Sequence, residues 1–223
     1  MDEHFTPSGG LALEDYARRG DMGGAHHLVR YHWLLEVLSG QERTLLDLGC
    51  GAGYGSFLIA ERYPSIDVLG VDYDPDGIRD ATSLYRLPNL RFAVADAMIW
   101  GLPELSRTFD AIVSFDSIEH IPHRELVLEH IVAHVNDALY LSTPCGAPEN
   151  DLTPGWPAHR IEYGTASLYD FLARYFRTIV RPEDEGFPAR QVFDRLRALG
   201  IDYLLRLNPV ICRDPIRVAN PYR

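Results

Sequence analysis

The stretch LLDLGCGAGYGS, residues 45–56, decides how this chain is read. It opens as an apolar run and breaks into a loop carrying Gly49, Gly51, Gly53 and Gly55. A strand that ends in such a loop and continues into a helix brings bare backbone, and the helix N-terminus, close to a bound ligand. The two phosphate-binding patterns fit it poorly. The dinucleotide fingerprint G-x-G-x-x-G needs a third small residue at a fixed step. Counted from Gly49 and Gly51 that step is Tyr54, and counted from Gly51 and Gly53 it is Ser56. No G-K-[S/T] follows, which excludes a P-loop. Asp47 stands just ahead of the glycines. A carboxylate there repels a pyrophosphate and complements an ammonium group.

Outward from this loop, apolar strand-like runs alternate with helical stretches. TLLDLG reads as a strand and GSFLIAERY as a helix; DVLGVD as a strand and PDGIRDATSLY as a helix with Pro75 near its start. LRFAVAD and FDAIVSFD are strands, HRELVLEHIVAHV a helix and DALYLST a strand. Several runs are apolar on both faces, as parallel strands between two helical layers must be. The alternation predicts an α/β fold with a Rossmann-like, doubly wound sheet. Ahead of it, HHLVRYHWLLEVL (26–38) predicts a part-buried helix within a helical lead over 11–40. From 145 to 165 the pattern lapses into a Pro-, Gly- and Asn-rich stretch, read as a lid or substrate loop. A helix over TASLYDFLARYF follows, with Thr165 as its expected N-cap, then strand RTIV, helix ARQVFDRLRALG and a final strand PVICRDPIRV. The whole, 1–223, is read as a single domain.

Composition narrows the partners. The chain is 46% hydrophobic with a formal net charge of −11. That composition is globular, and that charge repels nucleic acid and anionic membrane. A neutral or cationic small molecule is the expected partner; a homodimer is left open. Cys50, Cys145 and Cys212 are far apart and are expected to be small buried side chains rather than a disulfide or zinc framework. The acidic, polar start MDEHFTPSGG does not resemble a signal peptide, and no apolar run reaches the ~18 residues of a membrane span. A cytoplasmic location is expected.

Two further acids strengthen the reading of the loop. Asp72 ends the second strand roughly 20 residues beyond Gly53, where a carboxylate accepts hydrogen bonds from a ribose diol. Asp96 ends the third strand, placed for an adenine amino group. Solvated strand-end aspartates are common one at a time. Three acids around one glycine loop point to a ligand with a nucleoside, an ammonium and no phosphate, which describes S-adenosylmethionine (SAM).

LLDLGCGAGYGS, VDYD, VADA and FDAIVSFDSIEHI together resemble the class I SAM-dependent methyltransferases, over roughly residues 26–180. YLSTP followed by PAHRIEYGTASLYDFLARYF is similar to the branch acting on quinone precursors, sugars, polyketides and other small metabolites. The resemblance implies a seven-stranded sheet with an antiparallel last strand. It implies SAM as cofactor, with Gly49, Gly51 and Gly53 along the methionine portion and Asp47 nearby. Asp72 would hold the ribose hydroxyls, Tyr73 would lie beside the adenine, and Asp96 and Ala97 would meet its edge. Phe115 and Asp116 would flank the methyl group, and Arg30 and Tyr31 would match an Arg-Tyr pair near the cofactor's carboxylate end. Two departures blur the substrate branch: HIVAHVNDALYLST lacks the usual Gly-Gly turn before the fifth strand, and Cys145 follows Ser-Thr-Pro.

Methyl transfer to a hydroxyl requires alignment of the nucleophile and removal of its proton. SIEHIPH offers His120 as base or orienter, and PAHRIEY offers His159, Glu162 and Tyr163 in the expected lid. Glu119 could instead cap the next turn. His130 and His134 stand four apart on a helix, the spacing of a zinc pair, yet no H-E-x-x-H is present and no metal is expected. Tyr16, Tyr31, Trp33, Tyr163 and Tyr169 are read as core more than pocket wall, with Trp156, in the Pro-rich loop, the exception. The expected function is methyl transfer to an O or N atom of a small acceptor. A SAM-binding regulatory or scaffold protein and an NAD-dependent oxidoreductase are the rival readings.

Overall fold

A computed structural model describes residues 5–7, 9–145, 157–198 and 209–217. The element order follows the alternation of the sequence. Helices α1 (Leu13–Arg18) and α2 (Met22–Val37) lead into β1 (Thr44–Leu48), α3 (Tyr54–Arg62), β2 (Asp67–Asp72), α4 (Pro75–Leu84) and β3 (Leu90–Val94). Then come β4 (Phe109–Phe115), α5 (Arg124–His134), β5 (Val135–Ser142), α6 (Thr165–Leu172), β6 (Phe176–Val180), α7 (Arg190–Ala198) and β7 (Val210–Pro215). The seven strands form one sheet in the order β3-β2-β1-β4-β5-β7-β6. β1 to β5 pair in parallel, and β7 is antiparallel to both β5 and β6. This is the seven-stranded α/β arrangement of class I methyltransferases.

The two-sided burial of the sheet follows from strand geometry. Successive side chains point to opposite faces, so Leu45 joins one core cluster while Leu46 and Leu48 join the other. The first cluster packs Trp33 and Leu34 of α2, Ile59 of α3 and Val192 and Phe193 of α7. The second packs Val127, Leu128 and Ile131 of α5 with Leu168 and Leu172 of α6. Edge strands β3 and β6 carry exposed positions, as do the start of β5 and the end of β7.

Strand order reverses beside β1: β2 lies on one side of it and β4 on the other. That crevice, at the carboxyl ends of the strands, is where ligands sit in such sheets. α2 starts on an Asp21 cap whose carboxylate accepts from the Gly24 amide at 2.9 Å. The missing Gly-Gly turn has a visible consequence. α5 ends at His134 and β5 begins at Val135, with an irregular register opposite Phe109 and Ala111. One expectation is corrected: Thr165 is the first residue of α6, not its cap, and Gly164 holds the cap position without a side-chain bond. Thr165 therefore supplies no capping oxygen.

Cys50, Cys145 and Cys212 are buried free thiols, as small apolar side chains would be. Among the described residues, no helix is long and apolar enough to cross a membrane.

Candidate active site

The glycine loop is held in a shape only glycine adopts readily. Gly49, Gly51 and Gly53 have φ of +80°, +52° and +79°. A Cβ on Gly49 would stand 2.2 Å from Ser117 Oγ, and one on Gly53 would stand 2.6 Å from the Ala81 Cβ. Gly53 also starts α3 without a side-chain cap, leaving backbone N–H groups of the first turn facing the crevice end.

Asp47 does not lie on the wall of the crevice. It is fully buried beneath the loop, accepting from Ser56 Oγ at 2.7 Å and from the Tyr31 hydroxyl at 3.2 Å. Burial raises its pKa to about 6, although both hydroxyl bonds pull the other way. Its carboxylate thus acts on the loop from behind. Gly55 makes room for this arrangement, since a Cβ there would stand 2.0 Å from the Tyr31 ring. Ser56, counted as a misfit to the dinucleotide pattern, is the residue that ties α3 to Asp47. Tyr54 packs edge-on against Tyr31, with ring centroids 5.5 Å apart.

A cleft of about 540 Å³ runs from this loop along the strand ends. Gly49, Asp72, Tyr73, Asp96, Ala97 and Met98 line one part of it; Ser117, His120, Pro157, Ala158 and Arg160 line the other. That volume suits a sizeable small-molecule ligand. Asp72 is held in place by accepting from the Gly51 amide at 2.8 Å and the Asp74 amide at 3.0 Å. Asp96 accepts from the Met98 amide at 2.8 Å. Tyr73, which lines the same wall, is 65% exposed. A smaller hollow of about 70 Å³ adjoins at Gly49 and Asp116, walled by Arg30, Tyr31, Tyr54 and Phe115 and by Phe5 from the N-terminal segment.

Arg30 is the cation of that hollow. It is 3% exposed, forms an ion pair with Asp116 and donates to the His26 carbonyl at 2.9 Å. Asp116 holds a left-handed φ of +47° and also accepts from Ser142 Oγ at 3.0 Å. His26 and His27, on the same helix, have pKa values lowered to about 4, chiefly by burial and then by the Arg30 charge.

The far part of the cleft joins two distant segments. Glu119 and His120 lie in a 3₁₀ turn, Ile118–His120, just after β4. The Arg160 amide donates to the Glu119 carbonyl at 2.6 Å, which sets His159 against His120 with ring centroids 4.8 Å apart. His159 Nδ1 hydrogen-bonds Glu162 Oε1 at 2.8 Å. Glu119 is no exposed cap. Its side chain is buried and accepts from Thr143 Oγ1 at 2.9 Å, and burial, reinforced by Asp116, pushes its pKa well up.

The two histidines with zinc spacing have structural partners. His130 hydrogen-bonds the Met98 carbonyl at 3.1 Å and stacks on Trp100, while His134 bonds the His130 carbonyl at 2.7 Å. Tyr16, Trp33 and Tyr163 are buried core, and Tyr31 lines the small hollow. Trp156 and residues 146–156 of the expected lid lie outside the described residues. Met98, Arg160 and the burial of Glu119 were not expected from sequence.

Comparison with known proteins agrees with this architecture. A family described as a methyltransferase domain matches residues 45–138. The trans-aconitate 2-methyltransferase of Delftia acidovorans is 27% identical over 163 residues, 73% of this chain and 58% of that protein. The chain spans less than two thirds of the length of the curated relatives it matches. Among solved structures, the O-methyltransferase of a Brevibacillus brevis trans-AT PKS multienzyme, in complex with S-adenosyl-L-homocysteine, superposes with a TM-score of 0.61 at 14% identity, covering 94% of this chain and 80% of that one. The [4+2]-cyclase SpnF superposes with a TM-score of 0.62 at 17% identity, covering 87% and 83%. The fold is that of the class I methyltransferases. Residues 45–138, which hold the glycine loop, Asp72 and Asp96, carry the likeness to a methyltransferase domain.

Proposed function

We propose that this chain, acting as one domain, transfers a methyl group from SAM to an oxygen or nitrogen of a small-molecule acceptor, such as a sugar or secondary metabolite. One observation carries the reading: a single cleft has strand-end acids and the glycine loop in one part and His120 in the other. Bound SAM supplies a methyl group already activated on a positive sulfonium. The protein has to hold, orient and, for a hydroxyl, deprotonate.

Gly49, Gly51 and Gly53 offer backbone to the methionine portion, and the small hollow beside them offers Arg30 to a carboxylate and Tyr31 as a wall. Asp47 supports that loop from beneath with negative charge. Asp72 takes the ribose hydroxyls, Tyr73 stacks beside the adenine, and Asp96 with Ala97 meets its edge. Phe115 flanks the reacting end. His120, in the wall, is the base or orienter, and His159 contacts it edge-on.

A second reading of the acceptor has its own support. Arg160 is the one cationic side chain among the described residues lining the large cleft. It would pair with an acceptor carboxylate, and the Delftia relative is named for a tricarboxylate substrate. A carboxylate is ionised at neutral pH and needs no base. His120→Asn should therefore abolish transfer to a hydroxyl acceptor and spare transfer to a carboxylate, whereas Arg160→Ala should do the reverse.

Titration calorimetry with SAM, S-adenosylhomocysteine and NAD tests the cofactor, and a transfer assay with tritiated SAM tests the chemistry. Binding of NAD without SAM would overturn the proposal. Binding of SAM with no transfer to any acceptor class would favour a regulatory or scaffold protein.

A further inference from the structure

We propose that Glu119, His120 and His159 bind one divalent cation of the zinc–manganese–cobalt–iron(II) series, with its open position turned to the acceptor part of the cleft. The role in acceptor binding rests on the methyltransferase reading; the site itself rests on the following geometry. One carboxylate oxygen and one ring nitrogen from each histidine lie within 4.8 Å of one another. Metal–donor bonds of about 2.0–2.2 Å place donors a little over 3 Å apart, so side-chain swings of about 1 Å would close the set.

Glu119 gives the independent sign of a ligand. It is fully buried, yet only one of its oxygens is bonded: Oε2 takes the Thr143 hydroxyl, while Oε1 has no hydrogen-bond partner and points to His120 Nε2 at 4.0 Å. Buried carboxylates are normally paired, hydrogen-bonded or metal-bound. The nearby guanidinium of Arg30 pairs with Asp116 and the His26 carbonyl, not with Glu119.

His159 supplies the second sign. Its Nδ1 is bonded to the Glu162 carboxylate at 2.8 Å, so Nε2 is the nitrogen it can offer a cation. A ligating histidine typically donates its other ring N–H to a carboxylate in this way, fixing tautomer and ring angle. Two nitrogens and one oxygen suit a borderline cation, where magnesium would demand an oxygen set. Three protein ligands leave a position open for water or substrate oxygen. His120 lies in the cleft wall beside Ser117, and Arg160 closes the same wall. An acceptor hydroxyl bound there would ionise more readily, releasing its proton to water, and His120 would then serve as orienter and not as base. His130 and His134, the pair with zinc spacing in sequence, do not join this cluster.

The test uses the full chain, stripped by chelator and titrated with Co²⁺, Zn²⁺ and Mg²⁺, read by calorimetry and by visible absorption of bound Co²⁺. One equivalent of Co²⁺ and Zn²⁺ should bind, at least tenfold more tightly than Mg²⁺. His159→Asn and Glu119→Gln, both shape-conserving, should each weaken binding at least tenfold, and His134→Asn should not. Circular dichroism and SAM affinity monitor whether each variant is folded. No stoichiometric Co²⁺ or Zn²⁺ binding, or binding indifferent to His159→Asn in a folded variant, overturns the site. A protein that binds SAM but no cation keeps the methyltransferase reading and loses this one; a protein that binds the cation but not SAM does the opposite.

Discussion

The two parts of the cleft are built on different principles. The part near β1–β3 is made by strand ends and their loops, with each group contributed locally: Gly49, Asp72 and Asp96 each lie at, or within two residues of, a strand's end. The part near β4 and β5 is made by two segments that meet only in the fold, 118–120 and 157–160, joined by one backbone bond from Arg160 to Glu119. The first is rigid because the sheet is rigid. The second depends on a long connection and is the natural place for acceptor contacts to vary.

Four measurements would break or sharpen that contrast. The largest effect belongs to the rigid part. Gly49→Val puts a branched side chain at φ +80° and into Ser117, so SAM affinity should fall on the order of 1000-fold, about 4 kcal/mol, in calorimetry. Equal affinity in the variant would show that the loop is not the cofactor's cradle. Arg160→Pro removes the amide that anchors the second segment. Transfer should drop roughly 100-fold while SAM affinity holds, because a misplacement of about 1 Å is enough. If SAM binding collapses as well, the two parts are not separable.

Asp72→Ala should weaken SAM binding by about 1–3 kcal/mol, the cost of leaving hydroxyl partners unpaired. Part of that loss is indirect, since Asp72 also holds the Gly51 amide. Comparing SAM with its 2′-deoxyribosyl analogue separates the two: a direct contact predicts that the variant no longer distinguishes them.

The smallest effect is a pH dependence of stability. His26 and His27 have folded pKa values of about 4, below the ordinary 6.5, so their contribution is present above 6.5 and lost as pH falls toward 4. Asp47 has the opposite sign. Its pKa is raised from 3.8 to about 6, so its relative stabilisation is full below 3.8 and lost as pH rises through 6. Two histidines against one aspartate should make the protein less stable at pH 5 than at pH 7 in urea melts. Asp47→Asn should steepen that fall. An unchanged profile in the variant would show that Asp47 is ionised throughout this range.

The rigid part was largely legible in the sequence because its chemistry sits at fixed steps from strand ends, and the positions of Asp72, Tyr73, Asp96 and Ala97 in one wall follow from that spacing. Asp47 was misjudged in one respect. Strand alternation turned it inward, where Ser56 and Tyr31 hold it, and a linear reading of an acid before a loop does not reveal which face it takes. The second part was hidden for a different reason. Glu119 and His159 are neighbours only because the Arg160 amide bonds the Glu119 carbonyl, so the linear sequence offered His130 and His134 as the pair with metal spacing and not the histidine that His120 touches.

Asp47 has a further consequence through its two hydroxyl bonds, which link α2 by Tyr31 and α3 by Ser56 to the strand between them. Elements joined by a shared buried polar centre tend to open together rather than fray singly. In hydrogen exchange, the amides of α2, β1 and α3 should therefore exchange as one cooperative unit. Occupancy of the glycine loop would then slow exchange on α2 as well, carrying ligand binding into the helical lead.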